Sequence, residues 1–150
     1  LDHPQEWDKL RADPGLVGRA VNEGMRFAPL PWVIPHRATR DMIYRDIAFA
    51  EGDLAFVMMP AANGDPSATE RPDEFIIDRA PARHFAFGAD MHSCPGAHLA
   101  KMEMSLALLG LLEAYADIQR AAPSKWEPGQ EGRTLRRLDI TIREMKPLHG

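Results

Sequence analysis

The longest helical pattern in this chain, Ala97 to Tyr115, is apolar or small at almost every position, with Lys101, Glu103 and Glu113 as the charged exceptions. A helix that is apolar nearly all round is expected to be central and buried, so it constrains the fold more than any other stretch. It follows directly on Phe87-Gly88-Ala89-Asp90-Met91-His92-Ser93-Cys94-Pro95-Gly96, which holds the only cysteine. Pro95-Gly96 reads as a turn, which places Cys94 at the start of the helix. There it faces backbone N–H donors and the positive end of the helix dipole, both of which favour a thiolate. Such a thiolate can act as a nucleophile or as a metal ligand. The ordinary alternative for a lone cysteine is a small buried hydrophobe.

The 150 residues suffice for one modest domain with a real core. A formal net charge of -4 gives no hint of nucleic-acid binding. A single cysteine excludes an intrachain disulfide and suits a reducing, cytoplasmic compartment. No stretch reaches the roughly 18 consecutive apolar residues of a membrane span. The opening Leu1-Asp2-His3-Pro4 is not a signal peptide and lacks an initiator methionine, so the sequence reads as a piece of a larger protein whose anchor or leader could have been lost. Prolines and glycines are spread along the chain as turns, with no internal repeat.

Taken in order, Pro4 to Arg11 reads as a short surface helix broken by Asp13-Pro14-Gly15, with Asp13 as cap of the next helix and Pro14 in its first turn. Leu16 to Phe27 has a helical period, and Glu23 and Arg26 share one face of it. By spacing alone they are an ordinary surface pair. Pro29 and Pro31 end that helix. Trp32 to Ala38 is extended. Met42-Ile43-Tyr44 and Ile47-Ala48-Phe49 flank Arg45-Asp46 as a tight hairpin, and Leu54 to Met59 suits a buried strand. Pro60 to Pro81, with the turn cluster Asn63-Gly64-Asp65-Pro66, is expected to be a long irregular loop with one helical turn, and such loops are usually functional. The methionines, Met91, Met102, Met104 and Met145 among them, read as core filler. Loops and β structure are expected after Ala121-Ala122-Pro123, with a turn at Pro128 to Gly132 and a half-buried strand at Leu138 to Arg143. Arg133, Arg136 and Arg137 read as a solvated face.

Phe87, Gly88, His92, Cys94, Gly96, Leu99 and Ala100 resemble the haem-binding signature of the cytochrome P450 family. Glu23 and Arg26, in Glu-Gly-Met-Arg-Phe-Ala-Pro, resemble the Glu-x-x-Arg element of the same family, in the expected order and on the expected side of a strand region and a meander. His36-Arg37-Ala38-Thr39-Arg40-Asp41 and Arg71-Pro72-Asp73-Glu74-Phe75 are similar to it at their places too. The resemblance covers essentially the whole chain and is to the bacterial type. It implies an α+β fold, mainly helical with small β-sheets, forming the C-terminal haem-binding portion of a single P450 domain (residues 1–150), with the distal oxygen-activation helix absent.

It further implies haem b as cofactor, with Cys94 as proximal iron ligand. Phe87 would pack against the cysteine loop, Gly88 belongs to the signature, and Gly96 would let backbone approach the sulfur or the porphyrin. His92 would hydrogen-bond a haem propionate, and His36 or Arg37 would meet a propionate; His36 stands where arginine is common. Glu23 and Arg26 would be a buried pair fixing the meander and the cysteine loop. Two positions depart from the pattern. Asp90 replaces the glycine four before the cysteine, which keeps the loop feasible because Asp tolerates positive φ better than most residues. Glu74 stands where many members have an arginine that joins Glu23 and Arg26; Arg71 and Arg79 are the two candidates to take that place, and neither is assigned.

The implied function is a monooxygenase that uses dioxygen and two electrons to oxygenate a small apolar substrate. Electrons would come from a ferredoxin, flavodoxin or fused reductase docking near Cys94, where Lys101, Arg79 and Arg83 contribute positive charge. Substrate contacts are expected from Leu30 to Val33 and from a turn near Thr134 and Leu135. A second reading is a haem-binding or structural remnant without turnover. A third is an unrelated thiol enzyme pairing Cys94 with His92 or His98, for which no third orienting group is recognisable.

Overall fold

The computed structural model describes residues 2–129 and 132–144. The first helix, α1 (Pro4–Ala12), has proline in its first turn and Lys9 and Arg11 in its last, both favourable to the helix dipole. Glu6 and Leu10, one helical turn apart, point inward and are buried. Asp13 ends α1, and its carboxylate accepts the Gly15 N–H at 2.9 Å. A 3-10 turn over Pro14–Leu16 then leads into α2 (Val17–Phe27), which buries Val17, Ala20 and Val21 together with Glu23 and Arg26.

Four two-stranded antiparallel sheets follow. Strand β1 (Val33–Arg37) pairs with β4 (Leu54–Met58), in register from Val33↔Met58 to Arg37↔Leu54. Between them β2 (Met42–Tyr44) and β3 (Ile47–Phe49) form the expected hairpin, closing at Tyr44↔Ile47 with Arg45 at φ 54°. Strand β4 runs into a single helical turn, α3 (Met59–Asn63), and a long irregular stretch then reaches the 3-10 turn Asp90–His92 and the long helix α4 (Ala97–Ala114). Beyond it β5 (Tyr115–Arg120) pairs with β8 (Ile140–Glu144), and β6 (Lys125–Gly129) with β7 (Gly132–Arg137).

The core lies where the two N-terminal helices, the irregular stretch and the later half of α4 meet. Leu10, Val17, Ala20, Ile77 and Leu112 are its buried residues, with Trp7, Leu108 and Leu109 packed against them. Ile77 ties this cluster to the irregular stretch that leads to the cysteine loop.

Several expectations are corrected. Helix α4 is not buried all round: Leu112 is its one buried residue, and Leu99, Met102 and Leu106 are each more than half exposed. It packs along α2 and joins Leu10 and Ile77 in the core through Leu112, while those three residues stay exposed. Strand β4 is exposed too, with Phe56 at 60 %. Met91, 89 % exposed, and Met102 are surface residues rather than core filler. The helix stops at Ala114 because Tyr115 joins β5, whose partner β8 lies far along the chain; β structure therefore begins before Ala121. Strand β8 is exposed at every residue rather than half-buried. Thr134 and Leu135 lie within β7, not at a turn. Arg136 and Arg137 are exposed and paired with Glu127 and Asp139. Met145, the turn residues Gln130 and Glu131, and the side chain of Arg133 lie outside the described residues.

Candidate functional site

Glu23 and Arg26 are not a surface pair. They are 5 % and 2 % exposed and joined in a fork, with Arg26 Nε on Glu23 Oε2 and Nη2 on Oε1, each at 2.9 Å. Planar, two-point pairing of this kind is the strong form of the arginine–carboxylate contact. The remaining guanidinium donors reach the carbonyls of Asn63 (3.2 Å), Pro72 (2.9 Å) and Glu74 (3.1 Å). Glu23 Oε1 also accepts the Ile76 N–H at 3.0 Å and Arg79 Nε at 3.2 Å. Arg79 is thus the third member of the network. Its other donors hold the carbonyls of Arg71 (2.8 Å), Glu74 (2.9 Å) and Glu70. Arg71 instead pairs with Glu74 at the surface. With its side chain only 10 % exposed, Arg79 is removed from the group of solvated cations near Cys94. Burial opposes ionisation of Glu23 more strongly than any other influence. Even so, the combined hydrogen bonds and charges of Arg26, Ile76 and Arg79 hold its carboxyl below the ordinary value.

The network reaches the cysteine loop through Asn63, which the sequence presents only as part of a turn cluster. Asn63 is 2 % exposed; its Nδ2 donates to the Arg26 carbonyl at 3.1 Å and its Oδ1 accepts the Phe85 N–H at 2.7 Å. Two residues on, the Phe87 carbonyl accepts the Cys94 N–H at 2.8 Å and closes the loop. Gly88 sits at φ 73°, where a Cβ would stand 2.5 Å from the His92 carbonyl oxygen. Asp90 adopts φ 50°, the left-handed conformation that its short polar side chain tolerates.

Cys94 is exposed, and the Ala97 N–H donates to its carbonyl at 3.2 Å as α4 begins. A Cβ at Gly96 would lie 3.8 Å from the cysteine sulfur, an ordinary van der Waals contact for which the turn has room. Phe87 is half-buried under the loop, with the Lys101 ammonium 5.5 Å from its ring centre and the His84 ring at 6.2 Å. Burial, followed by the positive charges of Lys101 and Arg26, lowers the pKa of His84. Its Nδ1 accepts the Ala86 N–H at 3.3 Å, which a protonated ring could not do. A cavity of about 480 Å³ opens beside the sulfur, with Arg19, Arg83, Lys101 and His98 on its walls.

His36 and His92, far apart in sequence, meet edge to face with ring centres 5.4 Å apart. Arg37 does not join them. Adjacent strand residues point to opposite faces, and its Nη1 donates to the Gly52 carbonyl at 2.7 Å. The structure therefore brings together Cys94, His92, His36, Phe87, Gly88 and Gly96 around one loop, with Glu23 and Arg26 supporting it from behind. Among the described residues no cluster of three or more His, Cys, Asp or Glu could hold a metal ion. The chemistry available is that of a single exposed sulfur donor with polar groups to one side.

The family model that matches this chain is cytochrome P450, over residues 8–123. Among curated proteins, a polyketide biosynthesis cytochrome P450, PksS, of Bacillus subtilis (strain 168) is 34 % identical over 146 residues, covering 95 % of this chain and 36 % of that protein. A biotin biosynthesis cytochrome P450 of the same organism is 32 % identical over 143 residues, with the same coverage. Among solved structures, P450BioI in complex with an acyl carrier protein ligated to hexadec-9Z-enoic acid superposes with a TM-score of 0.91 at 32 % identity, over 95 % of this chain and 37 % of that one. The chain thus spans little more than a third of the length of the relatives it matches.

Proposed function

The chain belongs to the cytochrome P450 family, and on that premise we propose that it is the C-terminal, iron-ligating portion of a haem-thiolate monooxygenase. The observation that carries this reading is the exposed Cys94 at the start of α4, on a loop tied through Asn63 to the buried Glu23–Arg26–Arg79 network. Among the described residues no group of three or more His, Cys, Asp or Glu stands ready for a metal ion, and Cys94 would serve as the protein's sulfur ligand to an iron that a macrocycle brings with it. The cofactor proposed is haem b, which when bound supplies dioxygen activation, with thiolate donation favouring O–O cleavage.

The chain's own residues have separable tasks in this reading. The start of α4 would turn backbone N–H donors toward the ligand sulfur. Phe87 covers one side of the loop, and Gly96 leaves space next to the sulfur. His36 and His92 would hydrogen-bond the propionates, and Glu23, Arg26 and Arg79 hold the meander in place behind them. The substrate proposed is a small apolar organic molecule, and similarity to P450BioI, solved with a hexadecenoic acid ligated to acyl carrier protein, favours one of acyl type. Leu30, 62 % exposed after the second helix, is proposed as one of its contacts. A ferredoxin, flavodoxin or fused reductase would deliver electrons at the cavity walled by Arg19, Arg83 and Lys101. No described helix is long and apolar enough to cross a membrane, and a cytoplasmic location is proposed with the rest.

The test is spectroscopic. In the longest natural polypeptide that carries this chain, reduced under carbon monoxide, the Soret band should stand at the position diagnostic of thiolate ligation. Cys94→Ser should abolish it. A band unchanged by that substitution would show that another group binds the iron.

A further inference from the structure

Two consecutive amides of the meander are captured by buried carboxylates from two different helices. Ile76 N–H donates to Glu23 Oε1 of α2 at 3.0 Å, and Ile77 N–H donates to Glu6 Oε2 of α1 at 2.8 Å. Glu6 is 6 % exposed. Its other oxygen pairs with Lys9 Nζ at 2.9 Å, which also donates to Asp78 Oδ1 at 3.0 Å. The meander is therefore gripped on successive residues, and the second of them, Ile77, is buried in the core at 2 % exposure. Arg79, two residues on, must then lie where its guanidinium meets Glu23.

We propose that Glu6 is a positioning residue for the cysteine loop, acting through Ile77 to hold Ile76 and Arg79 against Glu23. The proposal rests on the reading of Cys94 as iron ligand and deepens it. Without Glu6 the Ile77 N–H is a buried donor with no acceptor, and the chain relieves this by shifting the residues that anchor Arg79.

The test compares three variants of the haem-loaded natural polypeptide. Glu6→Ala should speed amide exchange at Ile76 and Ile77 by roughly tenfold or more. It should also shift part of the carbon-monoxide Soret absorbance away from the thiolate position. Glu6→Gln, whose amide oxygen still accepts from Ile77, should restore both. Leu10→Ala, on the same helix and in the same core, controls for mere loss of stability: at a matched folded fraction it should leave the thiolate share at the wild-type value. Wild-type exchange and thiolate share in Glu6→Ala, or equal thiolate losses in Glu6→Ala and Leu10→Ala, overturn the proposal. A Soret band that survives Cys94→Ser overturns the ligand reading instead, and exchange at Ile76 and Ile77 then still decides whether Glu6 holds the meander.

Discussion

At the scale of single residues, the shape of the cysteine loop depends on two left-handed positions, and they tolerate change differently. Gly88 has both a positive φ and no room for a Cβ, since the nearest atom is backbone. Gly88→Ala should therefore cost more than about 2 kcal/mol in denaturant unfolding, combining the left-handed penalty with a backbone clash. Asp90 is exposed, so only its φ of 50° matters. Asp90→Val should cost about 1–2 kcal/mol, whereas Asp90→Gly should stay within about 1 kcal/mol of the parent, because relief of strain offsets the extra freedom of the unfolded chain. The departure of Asp90 from the family pattern is visible in the sequence. That the loop adopts left-handed geometry there anyway is a finding of the structure.

Between elements, the decisive feature is the network joining α2, the meander and Asn63. Removing one partner of a buried ion pair typically costs about 3–5 kcal/mol, so Glu23→Ala should unfold the meander or prevent the chain from reaching its native state. Circular dichroism and haem content would register the loss; native-like haem content in that variant would contradict the supporting role. The same pair sets an acid limit. Because Glu23 is held below its ordinary value of 4.5, its stabilisation is fully present above that pH and is lost as pH falls through the lower folded value. Denaturant midpoints followed from neutral pH downward should thus drop steeply below about pH 4.5 in the parent, and less steeply in Glu23→Gln, which starts from a lower stability. The Glu-x-x-Arg spacing places both residues on one helical face, but nothing local distinguishes a buried fork from a surface pair. Glu6 and Asn63 carried no distinguishing signal at all, since a glutamate in a first helical turn and an asparagine before glycine are ordinary cap and turn choices.

For the whole molecule, the described chain leaves a broad apolar surface on α4 and on the β1–β4 pair. Leu99, Met102, Leu106, Leu54 and Phe56 are each at least half exposed, and apolar surface of this extent marks interaction faces or an aggregation liability. The 150-residue chain produced alone should bind a hydrophobic dye such as ANS and self-associate. Replacing Leu99 and Leu106 by Glu should reduce both without lowering helix content, as sedimentation and circular dichroism would show. Retained dye binding in that double variant would place the exposed surface elsewhere. The apolar composition of Ala97 to Tyr115 correctly indicated a helix. Its burial is not legible there, because burial depends on what packs against each face, and Leu112 alone of this helix is buried.

What the sequence determined by itself is local and covalent in origin. Proline and aspartate breaks bound the first two helices, Arg45-Asp46 closes a hairpin between matched β-formers, and Pro95-Gly96 sets the only cysteine at the start of the longest helix. What only the tertiary structure decided is which charges are buried and what they hold. Arg79 rather than Arg71 completes the pair, His36 rather than Arg37 meets His92, and Glu6 joins Glu23 in gripping the meander. Those choices depend on partners many residues away, where burial turns an ordinary side chain into the sole acceptor for a backbone donor that water cannot reach.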